Sequence, residues 1–421
     1  MVVSARNTSA EDSRVAPERR TALDVVIAFV LVIAVVVAGV VLWMTGSAYN
    51  SQLEVHGEAT RAPSITREPS GLKLVWSADS PVTASRLQRG ALTAGTTVIV
   101  GNNHTVAGLD PVTGAPTWTY TRDRSLCAME TAWGNAITVW NYGNGCGDVV
   151  SIVGATGKYG PTRSWNANTP RRILTGGMHV LSLGPNQLEV WRSDMVRTLA
   201  LGYMQTPLEP AHKNRTVCEI VDAEEDDSTL GVVEKCPKTS GLRLSIYTAV
   251  PKDDVEPELL GRVQLKSQRA DIIEISHNRA LVYTESPEPE LLVVTRSGTV
   301  VRRKPVERAD ALHRPIFRTD KSVFWFDGQR LYNFARNDFS TRWVMDGAVG
   351  MPGVLSSLEN SPNWLLVPVD KGIAIVNGRS GEKFRLLPIQ GPAISRVVVF
   401  SGMIIVQQGP LVKGFRPLFD E

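Results

Sequence analysis

A Thr-Gly or Ser-Gly dipeptide recurs along this chain, and each copy follows a run of apolar residues that is typical of a β-strand. The copies are Thr113-Gly114, Thr156-Gly157, Ser297-Gly298 and Ser380-Gly381, which lie 43, 141 and 83 residues apart. These separations are close to one, three and two units of roughly 41–47 residues. A four-stranded blade of a β-propeller needs about that length, and one blade alone cannot bury both of its faces. The spacing therefore predicts an all-β chain that folds as a β-propeller of four-stranded blades.

Strand and turn patterns divide most of the remaining chain into units of this size. The predicted units cover residues 90–122, 126–165, 172–201, 217–265, 270–306, 315–345, 353–389 and 394–417. The last unit has room for only three strands, and the early strand 72–76 has no unit of its own. We expect this strand to complete the last blade and close the ring, which hides both sheet edges. The count is eight blades, with seven as the alternative if the third and fourth units are divided wrongly.

The most complete copy of the repeat runs from residue 108 to residue 118. Its characteristic residues are Gly108, Asp110, Thr113, Gly114 and Trp118. The aspartate and the Thr-Gly pair are expected to shape a turn, because short polar side chains and glycine favour turn conformations. The tryptophan is expected to pack between neighbouring blades, with stacking on a ligand as the alternative. All five residues are therefore predicted to have structural roles.

One segment near the N-terminus is uniformly apolar. Residues 25–44 carry no charge, and a helix of this length spans about 30 Å, the thickness of a bilayer core. Four arginines precede the segment, whereas Arg61 is the only Lys or Arg in the twenty residues after it; the four are Arg6, Arg14, Arg19 and Arg20. The positive-inside rule places the N-terminus in the cytoplasm and the rest of the chain outside it. A cleaved signal peptide and a buried helix of a soluble domain are the alternatives.

This topology divides the chain into four parts. We expect a disordered cytoplasmic tail at 1–23, a transmembrane helix at 24–45, a stalk at 46–70 and an extracytoplasmic propeller at 71–421. The protein is accordingly predicted to reside in the cell membrane as a single-pass protein.

The cysteines fall into two pairs of similar spacing. Cys127 and Cys146 are 19 residues apart, and Cys218 and Cys236 are 18 apart. Four cysteines allow three pairings, and the similar spacing favours one disulfide within each pair, joining neighbouring strands of a blade. Exported compartments permit such bonds. A zinc site is the alternative, but the chain has no Cys-x-x-Cys pair.

The sequence shows no recognisable catalytic motif. It lacks a Gly-x-Ser-x-Gly elbow, a Walker loop and a His-Glu-x-x-His motif. His104, His179, His212, His277 and His313 are scattered and are interpreted as surface or turn residues. The acidic run 224–227 is interpreted as a solvated loop, with a calcium or cationic-partner site as the alternative. The net charge of +3 without a dense basic block argues against nucleic acid as a partner, and we predict no catalytic, cofactor-binding or metal-ligating residues.

The 108–118 motif is similar to the Ala-x-Asp-x-x-Thr-Gly-x-x-x-Trp repeat of pyrroloquinoline-quinone-type propellers. Gly108 stands where that repeat has alanine, and the other four positions match. The resemblance implies a propeller over roughly residues 72–418. The quinone-dependent dehydrogenases of this family carry a vicinal Cys-Cys pair, and no two cysteines are adjacent here. The resemblance therefore does not extend to their cofactor or activity, and non-enzymatic members of the family are closer in size.

The layout as a whole resembles a group of mycobacterial and corynebacterial envelope proteins that are linked to the maturation of lipomannan into lipoarabinomannan. The shared features are a short basic tail, one Val-rich span and an exported propeller. This resemblance implies a non-catalytic scaffold or accessory factor in cell-envelope assembly, with membrane proteins of envelope biosynthesis as partners. A carbohydrate or lipid sensor that binds a glycan or lipoglycan is the second expectation. An oxidoreductase or hydrolase that uses the propeller funnel is the third.

Overall fold

A computed structural model describes residues 21–420, apart from 47–48, 83–91, 144, 166, 168–171, 203–217, 238, 255, 311–315 and 356–363. Its helix, α1 (Ala22–Thr45), begins at a capping box in which the Thr21 amide donates to the Asp24 carboxylate at 2.7 Å. Among the described residues, α1 is the one helix long and apolar enough to cross a membrane, by length and composition. The four arginines that predict its orientation lie outside the described residues.

The described strands form eight antiparallel sheets, each of which is one blade of a propeller. Two strands precede the first blade, β1 (Ser51–Val55) and β2 (Gly71–Asp79). Blades one to four consist of consecutive strands: β3 (Leu92–Ala94), β4 (Thr97–Gly101), β5 (Thr105–Leu109) and β6 (Pro116–Arg122); β7 (Leu126–Ala132), β8 (Asn135–Tyr142), β9 (Gly145–Val153) and β10 (Tyr159–Ser164); β11 (Arg172–Thr175), β12 (Val180–Gly184), β13 (Gln187–Trp191) and β14 (Arg197–Gly202); β15 (Glu219–Glu225), β16 (Thr229–Lys235), β17 (Leu242–Thr248) and β18 (Leu259–Gln264).

The remaining four blades follow the same order. Their strands are β19 (Ala270–Ser276), β20 (Arg279–Thr284), β21 (Glu290–Thr295) and β22 (Val300–Pro305); β23 (Ile316–Arg318), β24 (Ser322–Phe326), β25 (Arg330–Ala335) and β26 (Thr341–Asp346); β27 (Gly353–Val354), β28 (Trp364–Val369), β29 (Gly372–Asn377) and β30 (Lys383–Pro388); and β31 (Ile394–Phe400), β32 (Met403–Gln408) and β33 (Leu411–Leu418). The predicted units match these blades, and the described sheets number eight rather than seven.

Burial explains why the middle strands contain few polar residues. Every residue of β4 and β24 is buried, because neighbouring blades cover both faces of these strands. The outermost strands are more exposed, and β10 and β18 contain no fully buried residue. This packing requires continuous apolar runs in the middle of a blade and a mixed composition at its rim.

Strand β2 closes the ring, as predicted. It pairs antiparallel with β33 from Gly71 opposite Leu418 to Asp79 opposite Leu411, and so becomes the outermost strand of blade eight. The first and last strands of the propeller therefore lie in one sheet.

The sequence predicts a stalk over residues 46–70, and the structure places much of this segment on the propeller. Strand β1 adds a fifth strand beside β6 of blade one. Further along, the amide of Ala62 donates to the carbonyl of Ser401 at 3.2 Å, and Ile65 is buried among core residues of blades seven and eight. Apolar contact holds the segment there, together with backbone carbonyls of the blades that accept hydrogen bonds from its amides.

Two disulfides join Cys127 to Cys146 and Cys218 to Cys236, which is the favoured pairing. The second bond joins the residue before β15 to the residue after β16, and so connects two neighbouring strands, as expected. The first instead joins β7 to β9, which both pair with β8. The expectation of neighbouring strands is wrong here because β7 and β9 each have a bulge at this end, which carries the two cysteines past β8.

Candidate functional site

Two of the predicted motif residues, Gly108 and Trp118, lie at the joint between blades one and two. Trp118 on β6 is fully buried, and its indole N–H donates to the carbonyl of Gly154 in blade two at 2.9 Å. Gly157 has φ +65°, and a Cβ at this residue would lie 2.6 Å from the Cβ of Trp118. Gly108 is opposite Trp118 in the register, and a Cβ there would lie 2.3 Å from the indole nitrogen. The tryptophan thus packs between blades, and its ring leaves room only for glycine at both positions.

The same joint occurs twice more in the described residues. Trp76 of blade eight donates to the carbonyl of Pro111 at 2.9 Å and covers Gly114 of blade one. Trp343 of blade six donates to the carbonyl of Gly378 at 3.0 Å and covers Gly381 of blade seven. Each tryptophan comes from the fourth strand of its blade, counted from the axis, and contacts the Gly-containing turn of the next blade.

Asp110 has two roles, of which the sequence shows one. Its Oδ1 accepts from the amides of Val112 and Thr113 at 2.7 and 2.9 Å, which shapes the predicted turn. Its Oδ2 accepts from the amide and hydroxyl of Thr60, both at 2.7 Å. Burial would raise the pKa of Asp110, but these hydrogen bonds outweigh it and lower the pKa. Asp110 therefore also fastens the segment before β2 to blade one.

Charged side chains from several blades meet at the propeller axis, away from the joints. Arg318 on β23 of blade six connects blades three, four, five and six. Its Nη2 donates to Glu224 of blade four at 2.6 Å, its Nε donates to Glu274 of blade five, and its Nη1 donates to the carbonyl of Thr175 in blade three at 3.4 Å. Arg336 lies 3.5 Å from the other oxygen of Glu274.

Charge compensation makes this burial possible. Burial alone would lower the pKa of Arg318, but the charges of Glu224 and Glu274 raise it above its ordinary value. Burial raises the pKa of Glu274, and Arg318 only partly offsets that effect. A buried ion that lost its partner would be strongly unfavourable, so these groups depend on one another across blades.

The structure corrects two interpretations of polar residues. The acidic run 224–227 is not a solvated loop throughout, because Glu224 and Glu225 are buried on β15. Likewise His179 is buried rather than a surface residue: its Nδ1 lies 3.3 Å from Glu225 Oε2, and its amide donates to Oε1 at 3.0 Å. Each buried carboxylate has a partner from another blade, which offsets its desolvation. His212 and His313 lie outside the described residues.

An axial cavity of about 150 Å³ lies where the innermost strands converge. Its polar lining comes from five blades and consists of Thr93, Glu130, Thr131, Thr175, Arg318 and Arg396. Leu92, Ile316 and Val398 supply the apolar lining. Burial lowers the pKa of Arg396, and the charge of Glu130 opposes this shift. The axial cavity therefore offers both signs of charge and several hydroxyl groups to a small polar ligand.

Within the described part of the chain, no group of three or more His, Cys, Asp or Glu side chains is arranged to hold a metal ion. Sequence reasoning missed the axial residues. The one available signal was a charge inside a strand that is otherwise apolar, as in Ile272-Ile273-Glu274-Ile275.

No family model matches this sequence, and no curated protein is significantly similar to it. Among solved structures, BamB from Moraxella catarrhalis aligns at 13% identity and a TM-score of 0.49, over 82% of this chain and 99% of that one. The computationally designed Ika8 protein aligns at 11% identity and a TM-score of 0.51, over 81% of this chain and 100% of that one. The likeness to Ika8 is one of fold alone.

Proposed function

We propose that this protein is a non-catalytic docking scaffold for cell-envelope assembly, anchored in the membrane by α1 with its propeller outside the cytoplasm. The observation that carries the proposal is the set of contacts by which Arg318 connects several blades at the propeller axis. Arg318 has three nitrogens engaged with blades three, four and five. Charges that hold several blades in fixed positions are suited to a rigid platform, because satisfied buried polar groups specify one arrangement.

The outer rim supports docking of other proteins. Phe384 and Leu386 on β30 are 59% and 49% exposed, and Leu74 on the neighbouring outer strand β2 is 50% exposed. Exposed apolar side chains on strands with open edges are typical of protein-binding surfaces. We name Phe384, Leu386 and Leu74 the rim patch.

The proposed process is lipoglycan maturation, which rests on the layout of tail, apolar span and propeller. The two disulfides agree with a location outside the cytoplasm. Membrane proteins that build envelope lipoglycans are the proposed partners.

Complementation of a strain that lacks the gene tests this proposal, with the lipomannan and lipoarabinomannan profile as readout. We expect Phe384→Glu in the rim patch to reproduce the deletion profile. Leu259→Glu, which puts the same charge on the outer strand of blade four, and Glu130→Gln in the axial cavity should both restore the normal profile. A deletion that leaves the profile unchanged would overturn the lipoglycan role. Loss of function in a stably folded Glu130→Gln variant would overturn the scaffold role.

The axial cavity favours a second candidate, a sensor that binds a carbohydrate or lipoglycan without turnover. Its threonine hydroxyls together with Glu130 and Arg396 could hydrogen-bond a sugar. A ligand that binds only the folded state raises the unfolding temperature. Stabilisation of the full-length protein by lipomannan fragments, and its loss in Glu130→Gln, would support the sensor. No shift in either protein would leave the scaffold as the better account.

A further inference from the structure

The joint between blades five and six has neither the tryptophan nor the glycine of the three joints described above. Trp118 follows Gly114 by four residues, and at the same distance after Gly298 blade five has Arg302. In blade six, four residues before Trp343, the turn residue is Phe339, with φ +59°. Arg302 is opposite Val293 in the register, as Trp118 is opposite Gly108.

These replacements leave a cavity of about 150 Å³ between the two blades, which we call the joint cavity. Its apolar wall consists of Leu281, Leu291, Val293 and Phe339. Its polar wall consists of Arg302, Lys304, Ser340 and Thr341. A flexible arginine fills less of the joint than a flat indole ring, so the apolar wall keeps open space beside it.

The two cations at the joint cavity donate hydrogen bonds to neutral oxygens. Hydrogen bonds from Ser340, and then the charge of Arg302, lower the pKa of the nearby Asp338 carboxyl. Arg302 donates to the backbone carbonyl of Asp338, and Lys304 donates to the hydroxyl of Thr341 at 2.9 Å. In the part of the chain that the structure describes, neither forms an ion pair. Arg302 and Lys304 alternate with Arg303 along β22, so they share one face of the strand. Arg303, on the other face, pairs with Glu290 at 2.6 Å.

We propose that the joint cavity binds an amphiphile with a phosphate head and an apolar chain. The phosphate oxygens would accept from Arg302 and Lys304, because guanidinium and ammonium groups form strong charge-assisted hydrogen bonds with phosphate. The chain would lie against Leu281, Leu291 and Phe339, where burial removes apolar surface from water. This site is separate from both the rim patch and the axial cavity, so it stands independently of the scaffold role.

Calorimetric titration of the full-length protein in dodecyl maltoside micelles tests the proposal, with empty micelles as the blank. The probes are hexyl phosphate, inorganic phosphate and hexanol. We expect saturable binding of hexyl phosphate. Inorganic phosphate and hexanol should each bind at least about tenfold more weakly than hexyl phosphate, because each offers only one of its two recognised groups. Arg302→Gln and Lys304→Gln should each weaken hexyl phosphate binding about tenfold.

The matched control is Arg303→Gln, which removes the same charge from the other face of β22 and should bind like the wild type. Thermal unfolding of each variant checks that the propeller is intact. Equal weakening by Arg303→Gln would mean that only the general charge of the strand matters, and would overturn the proposal. So would inorganic phosphate or hexanol binding as tightly as hexyl phosphate, or Arg302→Gln and Lys304→Gln binding like the wild type.

Discussion

At the scale of single residues, the joints between blades depend on glycines that leave room for a tryptophan ring. Gly108 faces the indole of Trp118, and a Cβ would lie 2.3 Å from its nitrogen. We expect Gly108→Ala to lower the free energy of unfolding by about 1–3 kcal/mol through overpacking. Urea unfolding measures the change.

The control for this substitution is Gly57→Ala. No heavy atom lies within 4 Å of a Cβ built at Gly57, so its stability should stay within about 0.5 kcal/mol of the wild type. If the two variants were equally stable, the steric account of the joint would be wrong.

Glu225 gives the stability of the propeller a specific pH dependence. Burial raises the pKa of this carboxyl above 4.5, and the hydrogen bonds from His179 only partly offset it. A carboxyl whose pKa is raised by folding stabilises the fold most at low pH, and this contribution is lost as the pH rises through the folded pKa. Relative to Glu225→Gln, the wild type should therefore gain stability as the pH falls from about 7 toward 4.5.

Urea unfolding of both proteins across this pH range measures the difference, in which the titration of carboxyls remote from Glu225 cancels. A difference that is constant with pH, or that moves against the wild type on acidification, would contradict the assigned direction.

At the scale of elements, each disulfide closes a loop in the unfolded chain and thereby lowers the conformational entropy of the unfolded state. We expect replacement of Cys218 and Cys236 by serine to lower the free energy of unfolding by about 3 kcal/mol, because the bond closes a loop of 18 residues. Removal of Cys127 and Cys146 should cost a similar amount. Denaturant unfolding of both double variants, against the wild type with its disulfides intact, measures these costs; no change in either would contradict the prediction.

The blades could be predicted because their signals are local. Apolar strands and Gly-containing turns lie within about ten residues of one another, as in the 108–118 motif. The axial contacts could not be predicted, because Arg318 is separated in sequence from Glu224 by 94 residues and from Thr175 by 143 residues. The acidic run at 224–227 was misinterpreted for the same reason: a charge in a strand is buried only where a distant partner compensates it.

At the scale of the whole molecule, Trp76 contacts both ends of the propeller, because a Cβ at Gly414 of β33 would lie 2.2 Å from its ring. Trp76 lies on β2, the strand from the start of the propeller that completes blade eight, and its indole N–H donates to the carbonyl of Pro111 in blade one. Trp343 makes the equivalent contact between blades six and seven, whose strands all follow one another along the chain. The two tryptophans thus have similar packing and different positions in the ring.

We expect Trp76→Ala and Trp343→Ala to cost about 3–5 kcal/mol each, as large-to-small changes in a core do. Their hydrogen-exchange patterns should differ. Trp76→Ala removes a ring that contacts both β33 and blade one, so protection should fall in β2, in β33 and in the turn of blade one together. Trp343→Ala should reduce protection only near blades six and seven, because each of these blades consists of strands from one continuous stretch of chain. If Trp76→Ala gave an equally local loss, the pairing of β2 with β33 would hold the ring closed without the tryptophan.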